Sequence, residues 1–338
     1  MDLTLVSLGL MDPLYIAFGW VMRLLYEIIG NYGLVIIVFT VVLRGIMIPL
    51  GIHQQKSMIK QQSLQGEINE IKRLYPDDKA KQSELQMELY KKNGASPLSG
   101  CLPSILQLII IWPIFRIIQA PLKYIMQIST ENLNNIGTYL NTVMVNGAPL
   151  ITANHAKAAA TMNIPILNAL NANGSSLANV VKSGWMRLDQ LINVDFLGMN
   201  LGLTPSWKPA DLFGKETMGS YLPLLIIPLL VLITTLIQMR FARITTPNRK
   251  KKAEDKEREK LNPARQGQSP QDSTESMMKS MNIIMPIFML WTTFTMPSAM
   301  GLYWIVGNIM GIIQSLMIYF LFTKRIEKHE AEQRLLAK

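Results

Sequence analysis

Apolar residues in this chain are gathered into long blocks separated by polar stretches. Gly33 to Ile52 reads GLVIIVFTVVLRGIMIPLGI, almost without a charge. A helix needs about 20 such residues to cross a hydrocarbon core. The pattern predicts a first span over 31–52 and four more over 98–126, 220–241, 281–300 and 301–322. Pro103, Pro113 and Pro121 predict a kinked second span,. Met296-Pro297-Ser298-Ala299-Met300-Gly301 predicts a tight turn between the fourth and fifth. The expected fold class is an all-α membrane protein with five transmembrane helices, because lipid offers the backbone no other hydrogen-bond partner.

The polar stretches have characters of their own. Segment 1–30 is mostly apolar from Leu10 but carries Pro13, Arg23 and Glu27. Arg23 and Glu27, four apart, share a helix face. With Tyr15, Trp20 and Tyr26 this segment reads as an interfacial helix or as an N-terminal extension of the first span. Over 53–97, Leu64, Ile68, Ile71 and Tyr75 form a helical stripe, Pro76-Asp77-Asp78 a turn with an N-cap, and Asn93-Gly94 a stop,. That pattern predicts a helical hairpin in water. Region 127–219 is rich in Asn and Ala and predicts a small extracytoplasmic domain or a set of loosely packed helices. Its Asn-Gly and Gly-Ser steps predict loops. Segment 242–280, with Arg249-Lys250-Lys251-Lys252, predicts a mobile basic loop, and 323–338 a short charged helical tail.

Charge then sets orientation. The chain has 338 residues, 49% hydrophobic and 17% charged, with a formal net charge of +10. Such basicity on a soluble chain would suggest nucleic acid, but here the cations lie between the apolar blocks. The hairpin, the stretch from Arg240 to Lys279 and the tail carry eight, eleven and five Lys or Arg. Region 127–219 carries five in roughly twice the hairpin's length. Excess Lys and Arg mark the cytoplasmic side, which predicts the N-terminus outside and the C-terminus inside. The N-terminus has no basic residue before Arg23, unlike a secretory signal,.

Arg44 is the most informative residue. A mid-span arginine costs about 2.5–3.5 kcal/mol on insertion scales. No Asp or Glu occurs within any of the five blocks to neutralise it, which predicts a hydrated pocket open to the cytoplasm. The alternative is that Arg44 snorkels to the cytoplasmic surface. Gln107, Gln238, Thr292, Thr293, Asn308 and Gln314 are spread over the other four spans. Together they suit a shared polar interior, and singly they suit helix–helix hydrogen bonds. Arg116, near the extracytoplasmic end of the second span, reads as snorkelling outward. Nothing predicts an enzyme: no nucleophile–base pair, no paired carboxylates in a span, no phosphate-binding glycine loop. A lone Cys101 and the scattered His53, His155 and His329 predict no metal site and no cofactor,.

Several stretches resemble the YidC/Oxa/Alb family of membrane protein insertases. They are Asn31-Tyr32-Gly33-Leu34 through Arg44-Gly45 to Pro49-Leu50, Gly100-Cys101-Leu102-Pro103 with 107–113, Phe196-Leu197-Gly198 to Pro205-Ser206-Trp207, and Met281 to Pro286. Pro297 to Asn308, containing Gly301-Leu302-Tyr303-Trp304-Ile305-Val306-Gly307-Asn308, is the most specific. The resemblance implies a five-helix insertase core of bacterial YidC type around a hydrophilic groove open to cytoplasm and lipid. Arg44 would be the groove arginine, with Gln107, Gln238, Thr292, Thr293, Trp304, Asn308 and Gln314 as further groove residues. It also implies a multi-pass protein of the bacterial cell membrane that acts on nascent membrane proteins, especially single- or double-span substrates. Ribosome, signal recognition machinery, Sec translocon and anionic lipids are the other expected partners. The rival readings are a small-anion transporter using Arg44 and an assembly scaffold for membrane complexes.

Overall fold

The computed structural model describes residues 3–94, 102–215, 217–244 and 283–324. The basic loop beyond Ile244, the tail beyond Lys324 and Cys101 lie outside the described residues. The chain divides into two compact units. The first comprises Met1–Leu43, Leu108–Leu232 and Met289–Gly307, the second Arg44–Gln107, Ile233–Phe288 and Asn308–Lys338. Three long helices run through both.

Helix α1 (Leu3–Ile29) is longer than its apolar pattern implied and holds Pro13. It does not continue into the next helix, so the segment is not an extension of the first span. Gly30, at φ +69°, takes the left-handed conformation that ends helices, and its N–H bonds the Tyr26 carbonyl,. Asn31 then caps α2 (Tyr32–Ser63) by accepting from the Leu34 N–H at 3.1 Å,. The predicted Arg23–Glu27 pair forms at 2.9 Å, and Arg23 also donates to Gln127 Oε1 at 3.0 Å. Tyr15 stacks near Tyr124 and Phe18 meets Phe39 edge-on, which seats α1 in the first unit.

Among the described residues, three helices are long and apolar enough to cross a membrane: Tyr32–Gln54, Met218–Ala242 and Ser298–Leu321. Two shorter apolar helices, Ile109–Gln119 and Ile283–Thr293, occupy the second and fourth predicted blocks. The chain is therefore an all-α membrane protein, and the strands among its described residues are two residues long.

Several boundaries differ from the pattern. α2 runs past residue 52 to Ser63, passing Pro49 without ending, so the hairpin's first arm starts as its continuation. α3 (Gln65–Leu74) and α4 (Lys79–Lys92) complete the hairpin, with Leu64 and Ile68 buried. Asp78 caps α4 by accepting from the Lys81 N–H at 2.9 Å, and Asn93-Gly94 ends it, as the signals predict. α5 (Leu102–Gln119) stops short of residue 126. Pro121 has no N–H to continue it, Ala120 turns to φ −130°, and Pro121 starts a separate turn, α6 (Pro121–Tyr124),. The connection expected over 296–301 comes one turn earlier. Helix α14 (Ile283–Thr293) ends first, and Ser298 to Gly301 already belong to α15 (Ser298–Ile318). The free N–H groups there are satisfied from outside the helix. Ser298 N donates to the Leu203 carbonyl and Ala299 N to the Leu201 carbonyl, both at 2.9 Å,.

Region 127–219 is not loosely packed. It contains α7 (Thr130–Thr142), α8 (Ala153–Lys157), α9 (Ile164–Ala172), α10 (Gly174–Lys182) and α11 (Pro209–Phe213). Antiparallel hairpins β1 (Met144–Val145) with β2 (Ala148–Pro149), and β3 (Asp195–Phe196) with β4 (Met199–Asn200), complete it. Leu133, Ile136, Leu140, Ile166, Leu167, Val180, Ile192 and Leu201 are all fully buried and join the core that includes α1 and α2. The Asn146-Gly147 step is a turn, as expected, with both residues at positive φ,. The Gly174-Ser175 step is not a loop. Asn173 accepts from the Ser176 N–H at 2.9 Å and makes this step the first turn of α10,. α12 (Met218–Tyr221), a 3-10 turn over Pro223–Leu225 and α13 (Ile226–Ile244) form the third apolar helix.

Candidate functional site

The polar residues predicted to share an interior separate by unit. In the first unit, α15 is buried without interruption from Ser298 to Gly307, and Gly301 lies flat against Ile227 and Val231 of α13. The N-terminal part of α2 is covered on one side: Tyr32, Val35, Ile36, Phe39 and Thr40 are buried, whereas Leu34 is exposed. Thr40 spends its hydroxyl on the Ile36 carbonyl at 2.6 Å. Thr292 and Thr293 belong here too. Both are buried, and each hydroxyl donates three residues back along α14, to the Met289 and Leu290 carbonyls. Trp304 is 8% exposed, and its Nε1 has no hydrogen-bond partner among the described residues.

In the second unit burial falls along α2 and α15. From Arg44 to Leu50 no residue of α2 is buried, and Arg44 is half-buried. Beyond Gly307, every described α15 position up to Met317 is half-buried or exposed. On α13, Thr235 is the one buried residue after Leu232 among the described positions. Polar side chains then join the helices. Asn308 Nδ2 donates to Thr234 Oγ1 at 3.0 Å and to Thr235 Oγ1 at 2.9 Å, tying α15 to α13. The Gln238 amide lies over Gly311, where a Cβ would collide with it. The Gln314 amide covers Gly51 of α2 in the same way. Glycine allows the close approach in both places, as small residues do between membrane helices.

The structure thus brings Gln238, Asn308 and Gln314 together within one unit that also contains Arg44. Thr292, Thr293 and Trp304 belong to the other unit, and the Gln107 side chain lies outside the described residues. Sequence reasoning missed Thr234, Thr235, Gly51 and Gly311. A signal was present: Asn308 and Gly311 are three apart, as are Thr235 and Gln238, so each pair shares a helix face,. Arg116 is half-buried, with the Tyr124 hydroxyl as a neighbour of its guanidinium. No group of three His, Cys, Asp or Glu side chains among the described residues is placed to hold a metal ion.

Long apolar helices tied by amide–hydroxyl and amide–glycine contacts, with a helical hairpin and a second compact helical domain, define an all-α membrane protein. The family model of the 60Kd inner membrane protein matches residues 24–325. The chain belongs to that family, which bears out the resemblance to YidC-type insertases. It is similar to the membrane protein insertase YidC of Caldanaerobacter subterraneus subsp. tengcongensis, 24% identical over 309 residues, covering 91% of this chain and 95% of the relative. Shorter matches occur with proteins of the same name. The one from Shewanella baltica is 38% identical over 110 residues, 32% of this chain and 20% of the relative. The one from Rickettsia bellii is 35% identical over 118 residues, 32% of this chain and 21% of the relative. The chain therefore spans almost all of the first relative's length and about a fifth of the other two.

Proposed function

We propose that this protein inserts other membrane proteins into the bacterial inner membrane, through a hydrophilic groove lined by Arg44, Gln238, Asn308 and Gln314. The observation that supports the reading is the change along α2 and α15: burial falls from their first-unit parts to the parts that carry Arg44, Asn308 and Gln314, where Gln238 and the threonines of α13 join them. Gln107 joins the groove in this reading. Five spans, with 53–97, 242–280 and the tail in the cytoplasm, complete the topology.

A client's polar tail enters the groove and stays hydrated, which avoids several kcal/mol for each backbone group left unsatisfied in lipid. The Arg44 charge attracts acidic side chains more strongly there than in bulk water, because the local dielectric is lower. The client's apolar segment partitions into lipid beside the groove, and that burial drives the reaction. The membrane potential adds about 2.3 kcal/mol per negative charge per 100 mV for a tail moving outward. The mechanism requires no nucleotide. Single- and double-span nascent proteins fit it best. The hairpin and basic loop are the surfaces for ribosome, signal recognition machinery, Sec translocon or anionic lipid.

Purified protein in liposomes tests the reading with a single-span client bearing a short acidic tail. Insertion should depend on the protein, fall strongly in Arg44→Ala and recover in Arg44→Lys. Small-anion uptake without insertion would favour a transporter. Assembly of preinserted subunits without insertion would favour a scaffold.

A further inference from the structure

We infer that the 127–219 domain is seated on the lipid surface by three exposed apolar side chains, Leu197, Trp207 and Phe213, which enter the boundary between headgroups and acyl chains. The first observation is where the fold puts them. Leu197 is at the tip of the β3–β4 hairpin, and that hairpin is docked on the start of α2. The Phe196 ring packs on Gly33, where a Cβ would collide with it. Asn31 Nδ2 donates to the Asp195 carbonyl at 2.9 Å, and the Tyr32 N–H to the Asn193 carbonyl at 3.3 Å. Tyr32 is the first residue of an apolar helix long enough to cross a membrane. The hairpin tip is therefore held near the depth at which α2 enters lipid.

Trp207 and Phe213 are placed the same way on a different helix. The third apolar helix begins at Met218. The Met218 N–H donates to the Gly214 carbonyl at 2.9 Å, and Thr217 Oγ1 donates to the Ala210 carbonyl at 3.3 Å. A Cβ on Gly214 would collide with both Thr217 and Ala210. α11 is thereby folded back on the first turn of the helix it precedes. Ser206 fixes the residue next to it: its hydroxyl donates to Asp211 Oδ2 at 2.6 Å and accepts from the Lys208 N–H at 3.2 Å.

The second observation is exposure. Leu197 is 82% exposed, and Trp207 and Phe213 are 72% exposed each. The apolar surface then continues through Met218, Leu222, Ile226 and Leu229, all exposed, onto the lipid-crossing length of α13. This continuity identifies the occupant as lipid. Tryptophan suits it, having an apolar body and a polar N–H for the headgroup layer. Lys208 and Lys215 flank the aromatic pair, with stems long enough to lift their charges to phosphate,. Leu197 also holds φ at +52°, a conformation that Asn or Gly adopts with less strain,. A leucine in that conformation, with its side chain exposed, points to a role for that side chain,.

The full chain, with Cys101→Ser and reconstituted in phosphatidylcholine–phosphatidylglycerol vesicles, tests this by spin-label power saturation. Nitroxides at Leu197→Cys, Trp207→Cys and Phe213→Cys are compared with Asn146→Cys, at the exposed β1–β2 turn, and Leu229→Cys, on α13. The three probes should show an oxygen-to-nickel-chelate accessibility ratio several-fold above that at Asn146. A ratio equal to that at Asn146 overturns the inference, and so does shielding from both reagents, which would mean a protein cover. A water-like reading at Leu229 would overturn the span itself along with the inference. In the otherwise unaltered chain, Trp207→Phe should remove a measurable part of the tryptophan quenching by brominated lipid, and unchanged quenching contradicts it. Neither readout depends on insertion, so a chain that inserts no client can still pass, and one that inserts clients can still fail.

Discussion

A guanidinium midway along an apolar helix costs about 2.5–3.5 kcal/mol to insert, and less when water reaches it. That reasoning singles out Arg44 from its position in the sequence, because a charge inside an apolar block is visible in one dimension. Asn308, Gln238 and Gln314 were visible for the same reason. Their contacts were not, since a threonine or glycine on a helix does not announce which helix it faces. The clasp between Asn308 and the two threonines gives the residue scale its prediction. Asn308→Leu should lower stability in detergent by about 1 kcal/mol, the usual size of interhelical hydrogen bonds in membranes. A double-mutant cycle with Thr235→Val should show coupling of the same sign. Strict additivity would mean that the contact carries no energy. Gly311→Ala should also perturb the α13–α15 pairing, since its methyl group must displace the Gln238 amide.

At the scale of elements, signals carried by specific backbone chemistry were read well. Asp78 caps α4, Asn146-Gly147 turns a hairpin, and Asn93-Gly94 stops a helix. Boundaries that depend on tertiary partners were not. α2 continues beyond its apolar run because the polar residues after Ile52 are themselves helix formers. The start of α15 was misplaced because carbonyls of Leu201 and Leu203, nearly 100 residues away, satisfy its first N–H groups. The break between α1 and α2 rests on Gly30 at φ +69°. Gly30→Ala has room for its methyl group but must adopt a left-handed conformation, at a cost of about 1–2 kcal/mol,. Thermal unfolding in detergent should show this loss. A stability equal to the parent would mean that the break relaxes to another geometry.

For the whole molecule, buried side chains are unevenly divided between the two units. The first unit holds nearly all the buried side chains, including the domain over 127–219. Its packing could not be read from sequence, because short amphipathic helices rich in Asn and Ala look alike whether packed or not. Leu140→Ala should destabilise the protein by about 2–5 kcal/mol, as buried leucine truncations do. Hydrogen exchange should then rise across α7, α9 and α10 together, whereas the α3–α4 hairpin keeps its parental rate. Equal acceleration in the α3–α4 hairpin would contradict this. The five blocks, the hairpin and the family were legible from periodicity, charge and motif. The division of the predicted polar residues between the two units was not, because it depends on where along each helix close packing ends.

The central claim is that water reaches α2 beside Arg44 but not nearer its N-terminus. Single cysteines at Met47, Ile48 and Ile36 on a Cys101→Ser background measure this directly, by reaction with a membrane-impermeant maleimide added from the cytoplasmic side. The account predicts fast labelling at Met47→Cys or Ile48→Cys and none at Ile36→Cys. Equal protection at all three positions would contradict it.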